Sequence, residues 1–290
     1  MENSYVLYHD QIIKDGSLPV DPEDRGYHFG DGIYEVVFVY DKKPFAFKEH
    51  FARFEQSAEK LELAMPYDVS TFKKLTDELI SKNNIENGMV YIQMTRGVAP
   101  RNHLYERNMQ SVVTGFAKSF SLENIAESQA KGISTYLTED IRWLRCDIKS
   151  LNLLGNVMAK RKAADFDCQE AVQHRDGTVT EGSSSNVFIV KNGTLKTHPS
   201  TNLILNGITR QIVIQLAKEN GISVIEEAFS VEELLKADEV FITSTTMEVT
   251  PVKKLVGSEN QSYDIGPITL KLQDHFKKQI KKNISLVNES

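Results

Sequence analysis

Hydrophobic positions along the first third of the chain change period. Tyr5-Val6-Leu7-Tyr8 and Gln11-Ile12-Ile13 flank the turn-forming His9-Asp10 and predict a hairpin. A second hairpin is expected to leave at Ile33 and return through Phe45-Ala46-Phe47, again with β-branched and aromatic residues. The period then lengthens. From about Lys48 to Leu63, Phe51, Phe54, Ala58 and Leu61 fall on one face, and from Ser70 onward Phe72, Leu75, Leu79 and Ile80 do the same, so two amphipathic helices are predicted. Strands over Met89 to Thr95 and Val112 to Ala117 complete an antiparallel sheet with helices packed on it.

The polar run from Lys118 to Gly132 is the best candidate linker, which divides the chain near residue 122 into a smaller N-terminal α+β lobe, residues 1–121, and a larger C-terminal lobe, residues 122–290. The second lobe opens with a strand over Ile133 to Leu137 and a helix from about Ser150 to Asp165. Strands at Glu170 to His174, Val179 to Glu181, Asn186 to Val190 and Thr194 to Thr197 then read as a meander rather than a βαβ unit, with Asp176-Gly177 and Asn192-Gly193 as hairpin turns. A helix after Asn206-Gly207, a strand over Ile222 to Glu226 and a short helix at Val231 to Lys236 come next. Strands over Glu239 to Thr243 and Val249 to Lys254 and a terminal helix opened by Pro267 complete the chain. The expected class is α+β, two lobes of mainly antiparallel sheet with helices.

Composition narrows the function. A net charge of −6 and a pI near 5.7 do not supply the concentrated positive potential that nucleic acid or an anionic membrane demands, which leaves small-molecule chemistry. Two cysteines, Cys146 and Cys168, lack disulfide or metal-ligand spacing and fit a reducing cytosol; no N-terminal signal or apolar span is apparent, so a cytoplasmic protein without a metal site is expected. The glycine-rich Gly26-Tyr27-His28-Phe29-Gly30-Asp31-Gly32 matches neither dinucleotide nor P-loop spacing.

Lys149 and Glu181 carry the most chemical information. A lysine between apolar residues loses its proton more easily and can condense with an aldehyde, while a carboxylate arriving on a later turn can keep a pyridine nitrogen protonated. Together they suggest a pyridoxal-phosphate site. Glu181 precedes the small-residue turn Gly182-Ser183-Ser184-Ser185-Asn186, whose hydroxyls and amides can satisfy a polar ligand. Asn206-Gly207-Ile208-Thr209-Arg210 opens a helix whose first amides suit a phosphate, and Ser244-Thr245-Thr246 offers hydroxyls at a strand end, with ordinary helix-start and turn roles as the alternatives. Arg53 suits either a phosphate or a salt bridge. Arg101 and His103, two apart in a turn-rich loop, can face one carboxylate or simply be solvated.

Taken in order, Asp24-Arg25-Gly26, Phe29-Gly30-Asp31-Gly32, Lys149, Glu181-Gly182-Ser183-Ser184-Ser185-Asn186 and Gly207-Ile208-Thr209-Arg210 make the chain similar over essentially its full length to fold-type IV pyridoxal-phosphate enzymes. Within that group it resembles the D-amino acid aminotransferases through Pro100-Arg101-Asn102-His103 and the run Asp140 to Gly155. The resemblance implies a cofactor, pyridoxal 5′-phosphate, bound at the lobe interface. Lys149 in the C-terminal lobe would be its covalent anchor and the proton shuttle, Glu181 its pyridine partner, and Arg53, Ile208, Thr209 and Thr245 its phosphate contacts, with Leu205 against its ring. Tyr34, Arg101 and His103 would bind substrate, the last two lent by the second subunit of a homodimer. The family most often has a small residue where Asn102 stands. The implied reaction is ping-pong transfer of an amino group from D-amino acids to 2-oxo acids, such as D-alanine with 2-oxoglutarate giving pyruvate and D-glutamate. Alternatives are a branched-chain L-amino acid aminotransferase, an aminodeoxychorismate lyase-type reaction, or a non-catalytic cofactor-binding protein.

Overall fold

The computed structural model describes residues 4–16 and 18–287 and divides the chain into two compact units. One takes in the chain up to Ser121, the segment Ile148–Asn152 and the chain from Lys282 on; the other takes in Leu122–Asp147 and Leu153–Lys281.

In the first unit the elements are β1 (Tyr5–Tyr8), β2 (Gln11–Lys14), α1 (Arg25–Phe29), β3 (Gly32–Tyr40), β4 (Lys43–Pro44), α2 (Phe47–Lys60), α3 (Val69–Lys82), β5 (Gly88–Thr95) and β6 (Val112–Ser119). Among the described residues they form an antiparallel sheet in the order β2-β1-β6-β5-β3-β4, with Tyr34 of β3 opposite Gln93 of β5 and Glu35 opposite Ile92. Alternation along β3 sends Ile33, Val37 and Val39 into one apolar cluster with Phe51 and Phe54 of α2 and Phe72 and Leu79 of α3. The rings of Phe51 and Phe72 lie 4.9 Å apart and those of Phe54 and Phe72 5.7 Å.

The second hairpin departs from expectation. Its returning strand is only Lys43–Pro44, because Ala46 adopts a left-handed conformation (φ 50°) and Phe47 already begins α2. The first half of β3 therefore keeps a free edge, which the distant segment Ile148–Asn152 occupies: Tyr34 N–H donates to Lys149 O at 3.0 Å and Leu151 N–H to Gly32 O at 3.0 Å. Lys149, assigned from sequence to the C-terminal lobe, thus groups by its contacts with the first unit.

The second unit comprises α4 (Leu122–Lys131), β7 (Ile133–Glu139), α5 (Leu154–Asp165), β8 (Glu170–Arg175), β9 (Thr178–Gly182), β10 (Asn186–Lys191), β11 (Thr194–Thr197), α6 (Ile208–Glu219), β12 (Val224–Glu226), β13 (Phe229–Ser230), α7 (Val231–Leu235), β14 (Glu239–Ser244), β15 (Glu248–Val256), β16 (Gln261–Ser262) and the start of α8 (Pro267–Val287). Its sheet runs β12-β11-β10-β14-β15-β7-β8-β9-β13, with β16 beside β15.

Most pairs in this sheet are antiparallel, but β7 pairs parallel with both β8 and β15. The β7-α5-β8 connection, ahead of the strands expected to form a meander, is a βαβ unit, since parallel neighbours need a crossover. Nor does β9 continue onto β10, whose ladder partners are β11 and β14. Between them the turn folds over buried Glu170, which accepts hydrogen bonds from the Ser183 amide and hydroxyl and the Ser184 hydroxyl. The expected linker is largely a helix: α4 buries Ile125 and Gln129, and the Gln129 amide donates to Glu248 at 2.8 Å. Its buried face is part polar, so no apolar stripe announces it. The helix expected from Ser150 begins only at Leu154.

Removing one ring from the α2–α3 cluster leaves a cavity that close neighbours refill only in part. Phe51→Ala is expected to lower unfolding free energy by about 3–5 kcal/mol, read as a lower urea midpoint at an unchanged slope.

Candidate active site

Lys149 is positioned by β3 and α2. Ser57 of α2, fully buried, accepts from the Lys149 N–H at 3.2 Å, and the Lys149 ammonium lies 4.2 Å from the centre of the Tyr34 ring. That contact orients the lysine by attraction to a π face. Tyr34 itself stacks on Tyr91 of β5, centroids 5.5 Å apart. On the opposite face of β3 sits Glu35, wholly buried, which accepts two hydrogen bonds from Arg53, at 2.7 and 3.0 Å, and one from the His50 ring at 2.8 Å.

Burial alone would raise the Glu35 carboxyl, but Arg53 and His50 overcome it and hold the pKa far below the usual carboxylate range. Burial lowers His50, with Arg53 and Lys149 adding repulsion, so its ring is held toward the neutral form. Arg53 is thereby locked in one orientation by a paired fork. Glu35, His50 and Ser57 were missed from sequence, although two signals exist. Glu35 occupies an inward parity position among Ile33, Val37 and Val39, and His50, Arg53 and Ser57 form a polar stripe beside the apolar face of α2.

Glu181 is positioned by β9, β10 and the entry to α6. Glu181 is buried and accepts from the Asn186 side chain and the Leu205 N–H, each at 3.0 Å, and from Arg142. Arg142 is shared with Asp140, which takes hydrogen bonds from its Nε at 2.9 Å, from its terminal nitrogen at 2.8 Å and from Thr180 at 2.9 Å, and pairs with Arg175. Burial pushes the Glu181 carboxyl up, against the pull of Arg142 and the Leu205 amide. A carboxylate made more basic in this way is a stronger acceptor for a pyridinium N–H. Arg142 and Asp140 lay in the segment singled out by sequence, but their partnership with Glu181 spans 39 residues and is purely tertiary.

Asn186 also donates to Leu205 O at 2.9 Å, and Gly207, the N-cap of α6, lies so close to the Asn186 side chain that a Cβ there would overlap it. Glu181, Leu205 and the first residues of α6, Ile208 and Thr209, are therefore drawn together through Asn186. No side chain caps α6, which leaves its first amides open to an anion. Thr245 lies in the turn after β14, the strand that pairs with β10 at Asn186↔Thr243. Arg101 and His103 stand exposed on the β5–β6 loop.

Comparison with known proteins fits this arrangement. Residues 32–255 match the model of amino-transferase class IV. The chain belongs to the class IV aminotransferase family. It is 47% identical over 281 residues, 97% of this chain and 99% of the relative, to a D-alanine aminotransferase of Staphylococcus haemolyticus. It is 48% identical over 278 residues, 95% of this chain and 96% of the relative, to one of Listeria innocua. In three dimensions it resembles a branched-chain amino acid aminotransferase from Escherichia coli, TM-score 0.84 at 26% identity, covering 95% of this chain and 93% of that one. As an aminotransferase of this family the chain is an α+β enzyme, and among the described residues no helix is long and apolar enough to cross a membrane.

Glu35 supplies a stability test. Its folded pKa lies below the unfolded value of about 4.3, so its contribution is present above that pH and is lost as pH falls through and below it. Glu35→Gln should be less stable than wild type at neutral pH, with the gap narrowing by about pH 3.5, as urea midpoints at both pH values will show.

Proposed function

We propose that this aminotransferase uses pyridoxal 5′-phosphate to move the amino group of D-amino acids, D-alanine among them, onto 2-oxo acids such as 2-oxoglutarate. The near-full-length identity of 47–48% to D-alanine aminotransferases carries this reading. The residues present fit the cofactor: a lysine seated on an aromatic face, a buried carboxyl of raised pKa, an arginine held in place by Glu35 and an uncapped helix N-terminus are the donors and acceptors that an aldehyde, a pyridine nitrogen and a phosphate require.

When bound, the cofactor supplies an electron sink for the pair released as the substrate Cα–H bond breaks. Lys149 would hold it covalently, and its Nζ, once free, would move the substrate Cα proton. The Tyr34 ring keeps Nζ in place. Glu181 would accept a hydrogen bond from the ring nitrogen and keep it protonated, while Arg142, itself held by Asp140, keeps the carboxylate from turning away. Arg53, held by Glu35, would hold the phosphate together with the amides of Ile208 and Thr209 and the Thr245 hydroxyl, and Leu205 would contact the cofactor.

Arg101 and His103 bind the substrate α-carboxylate, reaching the site of a second copy of the chain. Their exposure supports this homodimer, as do the exposed Leu154, Val157 and Met158 of α5, beside Ile141, Trp143 and Leu144 in the segment that meets Gly155. Buried, unpaired Cys146 and Cys168 fit a cytoplasmic enzyme, and burial pushes the Cys146 thiol up to about 11, away from reactivity.

Two measurements test this reading. With D-alanine and 2-oxoglutarate, pyruvate should form with ping-pong kinetics, whereas L-alanine and L-leucine should be poor donors; turnover confined to L-leucine-type donors would instead favour the branched-chain L-amino acid reaction suggested by the structural likeness. Lys149→Ala should lower turnover by at least on the order of a hundredfold and abolish borohydride fixation of cofactor to the protein, checked by mass spectrometry. Fixation that persists at full stoichiometry would exclude Lys149 as the anchor.

A further inference from the structure

The segment Asp24-Arg25-Gly26 with Phe29-Gly30-Asp31-Gly32 has no part in the chemistry described so far. Asp24 caps α1 by accepting from the Gly26 N–H at 2.7 Å, and Arg25 beside it is buried, 3% exposed. Its Nε donates to Asp31 at 2.8 Å, and the same Asp31 oxygen accepts from Arg96 Nε at 2.8 Å. Arg96 is fixed in turn by the carbonyls of Glu62 and Leu61, at 3.0 and 2.7 Å. The far side of the Arg25 guanidinium donates to the carbonyl of Asn102 at 2.5 Å, with a longer contact of 3.4 Å to that of His103. A buried charge therefore spends its remaining donors on the backbone of the exposed loop that carries Arg101 and His103.

Phe29 completes the arrangement. Its ring lies 4.8 Å from the Arg25 guanidinium, 5.0 Å from that of Arg101 and 5.5 Å from the His103 ring. Arg101 and His103 thus both lie against the Phe29 ring. The base of the loop is tied down as well, since Arg25 N–H donates to Gly97 O at 2.9 Å and Ala99 N–H to Glu23 O at 3.3 Å. Gly97, at φ 105°, passes so near the Gln110 carbonyl that a side chain would collide with it. Asn102 turns its side chain onto its own loop and accepts from the Leu104 N–H at 3.1 Å.

An exposed arginine on a slack loop loses much of its attraction for a carboxylate to the cost of ordering itself, and holding it beforehand removes that cost. We propose that Arg25, fixed by Asp31 and layered on Phe29, is a positioning residue that sets Arg101 and His103 for the substrate α-carboxylate. This rests on the reading of those two residues as the carboxylate site.

The test uses holoenzyme carrying Arg25→Lys, Arg25→Gln or Phe29→Leu, with Arg101→Leu as the reference. KM for both D-alanine and 2-oxoglutarate should rise about tenfold or more, with kcat changed by less than about threefold and the absorbance of bound cofactor intact. Lysine, a single point donor, should restore only part of the loss, because it cannot bridge Asp31 and the loop carbonyls together. Single-turnover reaction with ethylamine, which is alanine without its carboxylate, should proceed at the wild-type rate in every variant that retains cofactor. Should Arg25→Gln fail to fold, Phe29→Leu carries the same expectation. Unchanged KM in the folded variants, or an equal loss toward ethylamine, overturns the proposal. If Arg101→Leu itself leaves KM unchanged, the carboxylate assignment fails first; if it raises KM while the Arg25 and Phe29 variants do not, only the positioning claim falls.

Discussion

Half an edge of β3 is left unpaired because β4 is two residues long, and the placement of Lys149 depends on it. Backbone donors and acceptors must find partners, and the segment Ile148–Asn152 meets those of Gly32 and Tyr34. That pairing brings Lys149 beside Tyr34 and Ser57, where an aromatic face and a hydroxyl fix both ends of the residue. The left-handed turn at Ala46 that cuts β4 short is therefore a condition for the site as well as the start of α2.

Charge is handled in compensated sets. Glu35 is shared by Arg53 and His50, Asp31 by Arg25 and Arg96, and Arg142 stands between Asp140 and Glu181. Burying an isolated ion is costly, so each of these charges has an opposite partner at hydrogen-bond distance. Hydrophobic replacements could fill the same space at comparable stability. What they could not do is hold a guanidinium fork, or a carboxylate of chosen basicity, in one orientation.

Much of this was legible in the chain, for identifiable reasons. The phenylalanines of α2 and α3 sit at helical spacing because each helix covers a sheet on one side only, and the Asp-Gly and Asn-Gly turns mark real hairpins at 175–178 and 191–194. Helix α4 escaped because its inward face is completed by Gln129, whose burial is tolerable only through Glu248, over a hundred residues away. The break between β9 and β10 escaped for the same kind of reason, since the serine turn is held by Glu170 rather than by its own neighbours. Among candidate site residues, Lys149 and Glu181 stood out by local context. Glu35, His50 and Arg142 act through partners that no local window contains.

By itself the sequence determined the periodic elements, the reactive residue types and the family, because these depend on side-chain spacing within a few turns of chain and on motifs read in order. Only the tertiary structure decided which charges neutralise one another, which edge receives Lys149 and what lies beneath Arg101 and His103. Those are contacts between residues tens of positions apart, chosen by the shared demands of burying apolar rings, satisfying backbone groups and pairing every buried charge.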